Sequence, residues 1–163
     1  MPRVRTTSSK PGPARDTVMI PGTLFIASDH AGYGLKAALI RHLEDKGWKV
    51  EDLGVHSADS ADYPDYAHAL CKSVLATGHR GILICGTGIG MCMAANRHTG
   101  IRAALCTHEF QARSCRGHND ANVLCLAERI TAPALACVMA DLFLETEFDG
   151  GRHQRRVELI ENV

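Results

Sequence analysis

Charge of neither sign predominates in this chain. Eighteen Lys and Arg stand against eighteen Asp and Glu, a formal net charge of zero. No global field draws such a chain to nucleic acid or to an anionic membrane, so any anion site must be a local cluster. Long apolar runs are also missing. The longest uncharged stretch, Gly81 to Asn96, has sixteen residues and four glycines, too short and too glycine-rich for a spanning helix. No CxxC pair occurs among the seven cysteines at 71, 85, 92, 106, 115, 125 and 137. Their odd number and apolar surroundings argue against a disulfide framework or a zinc knuckle. They read as small buried hydrophobes in a reducing compartment, which makes the expected location cytoplasmic. No His, Cys and Asp arrangement has convincing metal-ligand spacing, so no metal is expected.

What is present is one domain. The 163 residues are enough for a sizeable core and too few for two ordinary domains. Residues 1–22 stand apart. Met1 to Thr23 holds four prolines, three Arg, one Lys and a single acid, Asp16. No apolar period appears there, so it reads as a flexible extension. A signal peptide would need a missing apolar stretch, and the prolines argue against an amphipathic transit helix. Residues 23–163 form the expected domain.

From Leu24 the pattern is regular. Apolar strands are expected at Leu24–Ala27, Trp48–Leu53, Gly81–Cys85, Ile101–Cys106 and Ala121–Leu126. Helices lie between them, the first stopped by Gly47 and the second capped by Asp62 and closed by Gly78. A long helix carries Leu135, Val138, Met139, Leu142 and Phe143, and a last helix starts near Arg152. Short apolar strands separated by helices predict an α/β, three-layer doubly wound fold with five parallel strands. Such sheets bind ligands beyond the carboxyl ends of their strands. The positions to examine are therefore Asp29-His30, Cys85 to Gly90, Thr107-His108 and Glu128-Arg129.

Gly86-Thr87-Gly88-Ile89-Gly90 is the most informative of these. Its glycines follow a buried strand and precede a helix, so its amides can face a negative oxygen. It is neither a dinucleotide fingerprint, since Met91 stands where that motif needs glycine, nor a P-loop, since no Gly-Lys-Ser/Thr follows. An anion hole and a plain tight turn both remain open. Cys85 sits just before the loop, where a thiol can serve as nucleophile or base, or can be one more packed cysteine. Cys92 and Cys106 lack that placement and read as packing. Asp29-His30 fits phosphate binding or proton transfer, or a helix start capped by Asp29. His118-Asn119-Asp120 offers a general acid with an orienting amide, or only a turn. Arg152 and Arg156 share one helix face and can clamp one phosphate, or form a solvated basic face. Flanking acids argue against a nucleic-acid stripe.

Together these residues resemble one family. Ser-Asp-His-Ala-Gly at 28–32, Asp-Tyr-Pro at 62–64 and Gly-Ile-Leu-Ile-Cys-Gly-Thr-Gly-Ile-Gly at 81–90 come first. Ala-Ala-Asn at 94–96, Gly-Ile-Arg-Ala at 100–103, His-Asn-Asp at 118–120 and Gly-Gly-Arg-His-Gln-Arg-Arg-Val at 150–157 follow in order. The pattern, spanning about 24 to 160, resembles ribose-5-phosphate isomerase type B, in a wider family that includes allose-6-phosphate and galactose-6-phosphate isomerases. The resemblance implies a Rossmann-like fold and a homodimer, sometimes a dimer of dimers, with active sites built from both subunits. It implies that Cys85 moves a proton between C1 and C2 of the sugar. Thr87 and the amides of Gly86, Gly88, Ile89 and Gly90 would hold the enediolate oxygens, and His118 would open the furanose ring. Asp29, His30, Tyr63, Asn119 and Arg129 would contact substrate, with Arg152 and Arg156 clamping phosphate. No metal or organic cofactor is implied.

A branch of the family uses a Glu just after the glycine loop instead of this cysteine. Here that position is Met91 and Cys85 is present, which fits the cysteine branch. The chain departs from the family in its extension before Leu24 and in the bulk of Met91-Cys92-Met93. The expected activity is interconversion of ribose 5-phosphate and ribulose 5-phosphate. The rivals are a six-carbon 6-phosphate isomerase and a phosphate- or nucleotide-binding module without turnover.

Overall fold

Alternation along the three inner strands builds two cores at once. In the computed structural model, which describes residues 22–162, β1 is Thr23–Ser28, β3 is Arg80–Cys85 and β5 is Val123–Ala127. Leu24, Ile26, Ile82, Ile84, Leu124 and Leu126 face one side; Phe25, Ala27, Leu83, Cys85, Val123 and Cys125 face the other. Successive residues of a strand point to opposite faces, so a strand apolar at every position must be covered twice. The covers are α1 (Tyr33–Asp45), α4 (Glu109–Gly117) and α5 (Pro133–Glu145) on the first face, and α2 (Tyr63–Thr77) and α3 (Ile89–Ala95) on the second. Strands β2 (Lys49–Asp52) and β4 (Ala103–Leu105) form the edges, and α6 (Arg152–Glu161) follows. The sheet runs β2-β1-β3-β5-β4 with every neighbouring pair parallel. The expected three-layer fold is thus present, and no helix of the described residues is long and apolar enough to cross a membrane. The extension expected at 1–22 lies outside the described residues but for Gly22.

Two local expectations need correction. The fourth strand, expected over 101–106, pairs only over Ala103–Leu105. Side chains take the amides at its start: Asn122 Oδ1 accepts from Arg102 N at 2.8 Å and Asn96 Oδ1 from Ala103 N at 2.9 Å. Asp62 occupies the position before α2, but its side chain caps nothing. Its backbone carbonyl accepts from Asp65 N instead. Gly78 closes α2 as expected, in a left-handed conformation at φ 75° with its amide on Val74 O.

One polar residue lies deep in the frame. Lys36, on α1, is 1% exposed. Its Nζ donates to Asp52 Oδ1 and to the Val55 carbonyl, each at 2.6 Å. Asp52 also accepts from Gly54 N at 2.9 Å. The pair therefore ties α1 to the segment after β2, which in turn bonds Ser28 through Val55 N. Buried charges persist only when paired and hydrogen-bonded, and removing one partner strands the other. Lys36→Met should destabilise the protein by about 2 kcal/mol, tempered because Asp52 is partly solvated, which lowers Tm by roughly 4–8 °C. An unchanged melting curve would show that the pair contributes nothing net.

Candidate active site

The sheet sets the position of the site. Chain connections leave β1 and β3 for opposite faces, α1 covering one and α3 the other, so a crevice opens between their carboxyl ends. A cavity of about 230 Å³ lies there, lined by Asp29, His30, Ala31, Tyr63, Cys85, Gly86, Thr87, Gly90 and Arg129. Eight of the residues expected to bind or react thus come together from four separate stretches of chain. Ile89 opens α3 beside them and is exposed.

Cys85 ends β3 and is 5% exposed. The Gly88 amide donates to its Sγ at 3.1 Å, the kind of donor a charged sulfur uses. That contact requires the chain to double back at Gly88, whose φ is 73°. A side chain there would overlap Leu105 Cδ1 and lie 3.1 Å from the Leu126 carbonyl oxygen, so only glycine fits. Gly88 has no side chain to cap α3, and the first turn of α3 carries no acid. No side chain therefore caps the start of α3, and Gly86, Thr87 and Gly90 of the loop border the cavity.

The walls are fixed as firmly. Asp29 Oδ1 accepts from Gly32 N at 3.0 Å, capping a short 3-10 turn over His30–Gly32. Its capping role is real, and it still borders the cavity. His30 accepts from Ala61 N through Nδ1 at 3.2 Å, which leaves Nε2 as the ring's N–H. The Tyr63 ring lies against Gly90, where a Cβ would approach Cζ to 2.7 Å. Arg129 lies across Gly86, with Nε and Cζ each 3.1 Å from the point a Cβ would take. Among the described residues nothing accepts a hydrogen bond from its guanidinium, so it is a free cation at the mouth.

A second group gathers elsewhere. His118 follows α4 and stacks on His153, with centroids 4.4 Å apart and planes 4° from parallel. Its Nε2 is 3.8 Å from Asp149 Oδ2. Gly150 and Gly151, both at positive φ, turn the chain so that α6 starts beside α4. Arg152 Nε reaches His153 Nε2 at 3.4 Å, and Arg152 and Arg156 are exposed. Partial desolvation, the facing His118 and the two arginines lower the His153 pKa, while Asp149 opposes them. Sequence spacing concealed that His118, Asp149 and His153 bring potential ligand atoms within 4.8 Å of one another. Arg152 and Arg156 make these surroundings cationic, which suits an anion better than a metal ion. Asn119 is exposed and borders a different cavity beside Arg102, Ala103 and Cys115. Among the described residues no hydrogen bond or common cavity joins this group to the Cys85 cleft. One chain holds the expected site in two halves.

A doubly wound sheet with a thiol, a glycine loop and a free arginine at its switch point is a site for a small anionic ligand. Residues 24–160 match the model of the ribose/galactose isomerase family. A probable ribose-5-phosphate isomerase B of Mycoplasma pneumoniae is 48% identical over 136 residues, covering 82% of this chain and 90% of that protein. The crystal structure of a ribose 5-phosphate isomerase from Thermotoga maritima superposes with a TM-score of 0.85 at 50% identity, over 86% of this chain and 98% of that one. Ribose-5-phosphate isomerase B of Mycoplasma genitalium, solved with bound ribulose-5-phosphate, gives 0.83 at 44% identity, over 86% and 95%. The chain belongs to the ribose/galactose isomerase family.

Cys92 packs against the second core, as expected, and its pKa is shifted there. It is half-buried on α3, and the neighbouring Cys125, with the Leu105 backbone and Asn96, outweighs burial and brings its pKa down to about 7. The neighbouring Cys92 and burial push Cys125 up. In Cys85→Ser protein, iodoacetamide labelling of Cys92 should therefore rise with pH to a plateau with a midpoint of about 7, read by peptide mass mapping. A midpoint near that of an ordinary thiol would contradict the lowered pKa.

Proposed function

We propose that this protein interconverts D-ribose 5-phosphate and D-ribulose 5-phosphate through an enediolate. The observation that carries the proposal is the Cys85 sulfur, buried beside the glycine loop in a cleft that also holds a free arginine. The names of the similar proteins support the substrate.

Isomerisation begins with ring opening, for which His118 gives and takes the protons. The thiolate of Cys85 then removes the proton from C2 of the open aldose. The electrons move to the carbonyl, giving an enediolate whose oxygens are held by Thr87 and the amides of Gly86, Gly88, Ile89 and Gly90. Such donors act on charge as it develops and need no reorganisation. The proton returns to C1, the proton on the C2 hydroxyl passes to the O1 oxyanion, and the ketose results. Asp29, His30 and Tyr63 line the sugar. Arg129, with Arg152 and Arg156, holds the phosphate, which breaks no bond and serves to place C1 and C2 at the sulfur.

His118, Asn119, Arg152 and Arg156 reach that cleft from a second copy of the chain, in a homodimer with shared sites. The separation of the two halves within one chain supports this reading. The free cysteines support a reducing, cytoplasmic setting.

Proton NMR of ribose 5-phosphate in D₂O with EDTA-treated protein tests the chemistry. Ribulose 5-phosphate carrying deuterium at C1 is expected, and inert substrate would overturn the assignment. Cys85→Ser should lose about 10³-fold in turnover with the fold intact. His118→Asn should impair the ring-closed substrate far more than an open-chain analogue; equal losses would remove the ring-opening role. Mixing these two impaired variants and letting subunits exchange should restore about a quarter of wild-type activity, because half of each mixed dimer regains a complete site. No recovery despite proven exchange would mean that each chain works alone.

A further inference from the structure

Glu128 sits next to Arg129, yet the two do not pair. Its Oε2 instead accepts from Leu35 N, at the start of α1, at 3.0 Å. That carboxylate lies against Gly34, where a Cβ would come within 2.9 Å of Oε1. Glu128 thereby supplies what α1 lacks. Gly32, before α1, provides no side-chain cap, and the first turn of α1 has no acid. An acceptor from 93 positions away fills the gap. The backbone of the same turn is pinned to the glycine loop, Glu128 N on Cys85 O at 3.0 Å and Arg129 N on Gly86 O at 3.1 Å.

Two consequences follow from this placement. The 3-10 turn that carries His30 leads directly into α1, so Glu128 braces the Asp29-His30 wall of the cleft against the Arg129 wall. It also occupies the nearby helix N-terminus, which would otherwise compete for an anion, and it does so without neutralising the arginine. We propose that Glu128 is a positioning residue: it leaves the Arg129 guanidinium free and fixes it over Gly86 so that the phosphate of the substrate binds there. This rests on the reading of the cleft as a sugar-phosphate site, but its test does not require turnover.

The probe is inorganic phosphate, titrated calorimetrically into the full chain. Glu128→Ala should weaken phosphate binding about tenfold, the loss expected when a charge-assisted contact is removed. The KM for ribose 5-phosphate should rise in parallel, while kcat changes less than about threefold. Glu128→Gln, which still accepts from Leu35 N, should recover most of the affinity. Glu128→Ala in an Arg129→Ala background should cost nothing further, since the arginine it positions is gone. If Glu128→Ala does not fold, Gly34→Ala decides the matter. Alanine favours the helix and displaces the carboxylate by its Cβ, so phosphate affinity should fall with the melting temperature preserved. Unchanged phosphate binding in the folded variants, or equal further loss in the Arg129→Ala background, would overturn the proposal. Inert ribose 5-phosphate with phosphate binding that still tracks Glu128 would remove the isomerase reading and leave this one standing.

Discussion

The close approach of the Gly88 backbone to Leu105 and Leu126 is the constraint on which the rest of the site depends. Strand β3 must end in a sulfur that faces the α2–α3 layer, and the chain must then re-enter that layer as α3. Only a left-handed residue without a Cβ can turn there, because any side chain would overlap Leu105 and crowd the Leu126 carbonyl. The same turn aims the Gly88 amide at Cys85 Sγ and leaves the next amides open. Packing and chemistry are thus one feature. The backbone conformation that lets β3, β4 and β5 sit side by side also builds the donors around the thiol.

The walls of the cleft are held by contacts that join distant parts of the chain. Lys36 secures the segment after β2 to α1, and that segment continues to Ala61, whose amide holds His30. Glu128 secures α1 to the turn after β5. Hydrogen bonds to buried or half-buried charges lose little to water and resist bending, so these braces restrict the cleft more than surface pairs would. The exposed Lys49–Glu51 pair, by contrast, touches nothing that borders the site.

Legibility in the sequence followed the range of the forces involved. Strand alternation and glycine stops are local, so the layers, the strand-end positions and the Cys85–Gly90 loop could be read directly. Edge effects are not local. The shortening of β4 comes from Asn96 and Asn122, which lie outside the strand. Asp62 had the right type for a cap and the right place, yet its backbone made the bond. The burial of Lys36 has no local signal, because its two acceptors lie 16 and 19 positions away. The meeting of His118, Asp149 and His153 depends on a reversal at Gly150-Gly151 that spacing does not reveal. The roles assigned to the two halves of the site came from resemblance, since one chain does not bring them together.

A neutral chain that must bind a doubly charged phosphate has to separate its cations by task. Those built into the frame have acceptors. Lys36 lies on Asp52, Arg102 bridges Asp120 and Glu161, Arg116 holds Asp120, and Arg80 donates to the carbonyls of Phe143 and Leu144 at the end of α5. These charges are already satisfied and offer an anion little. Arg129 is different because the carboxylate beside it is turned away and engaged by a helix end. Arg152 and Arg156 are left exposed by a helix that buries only Val157. The proposed anion site therefore relies less on accumulated positive charge than on an arginine, Arg129, with no acceptor among the described residues and on the exposure of Arg152 and Arg156. That is how zero net charge and strong local attraction coexist in one chain.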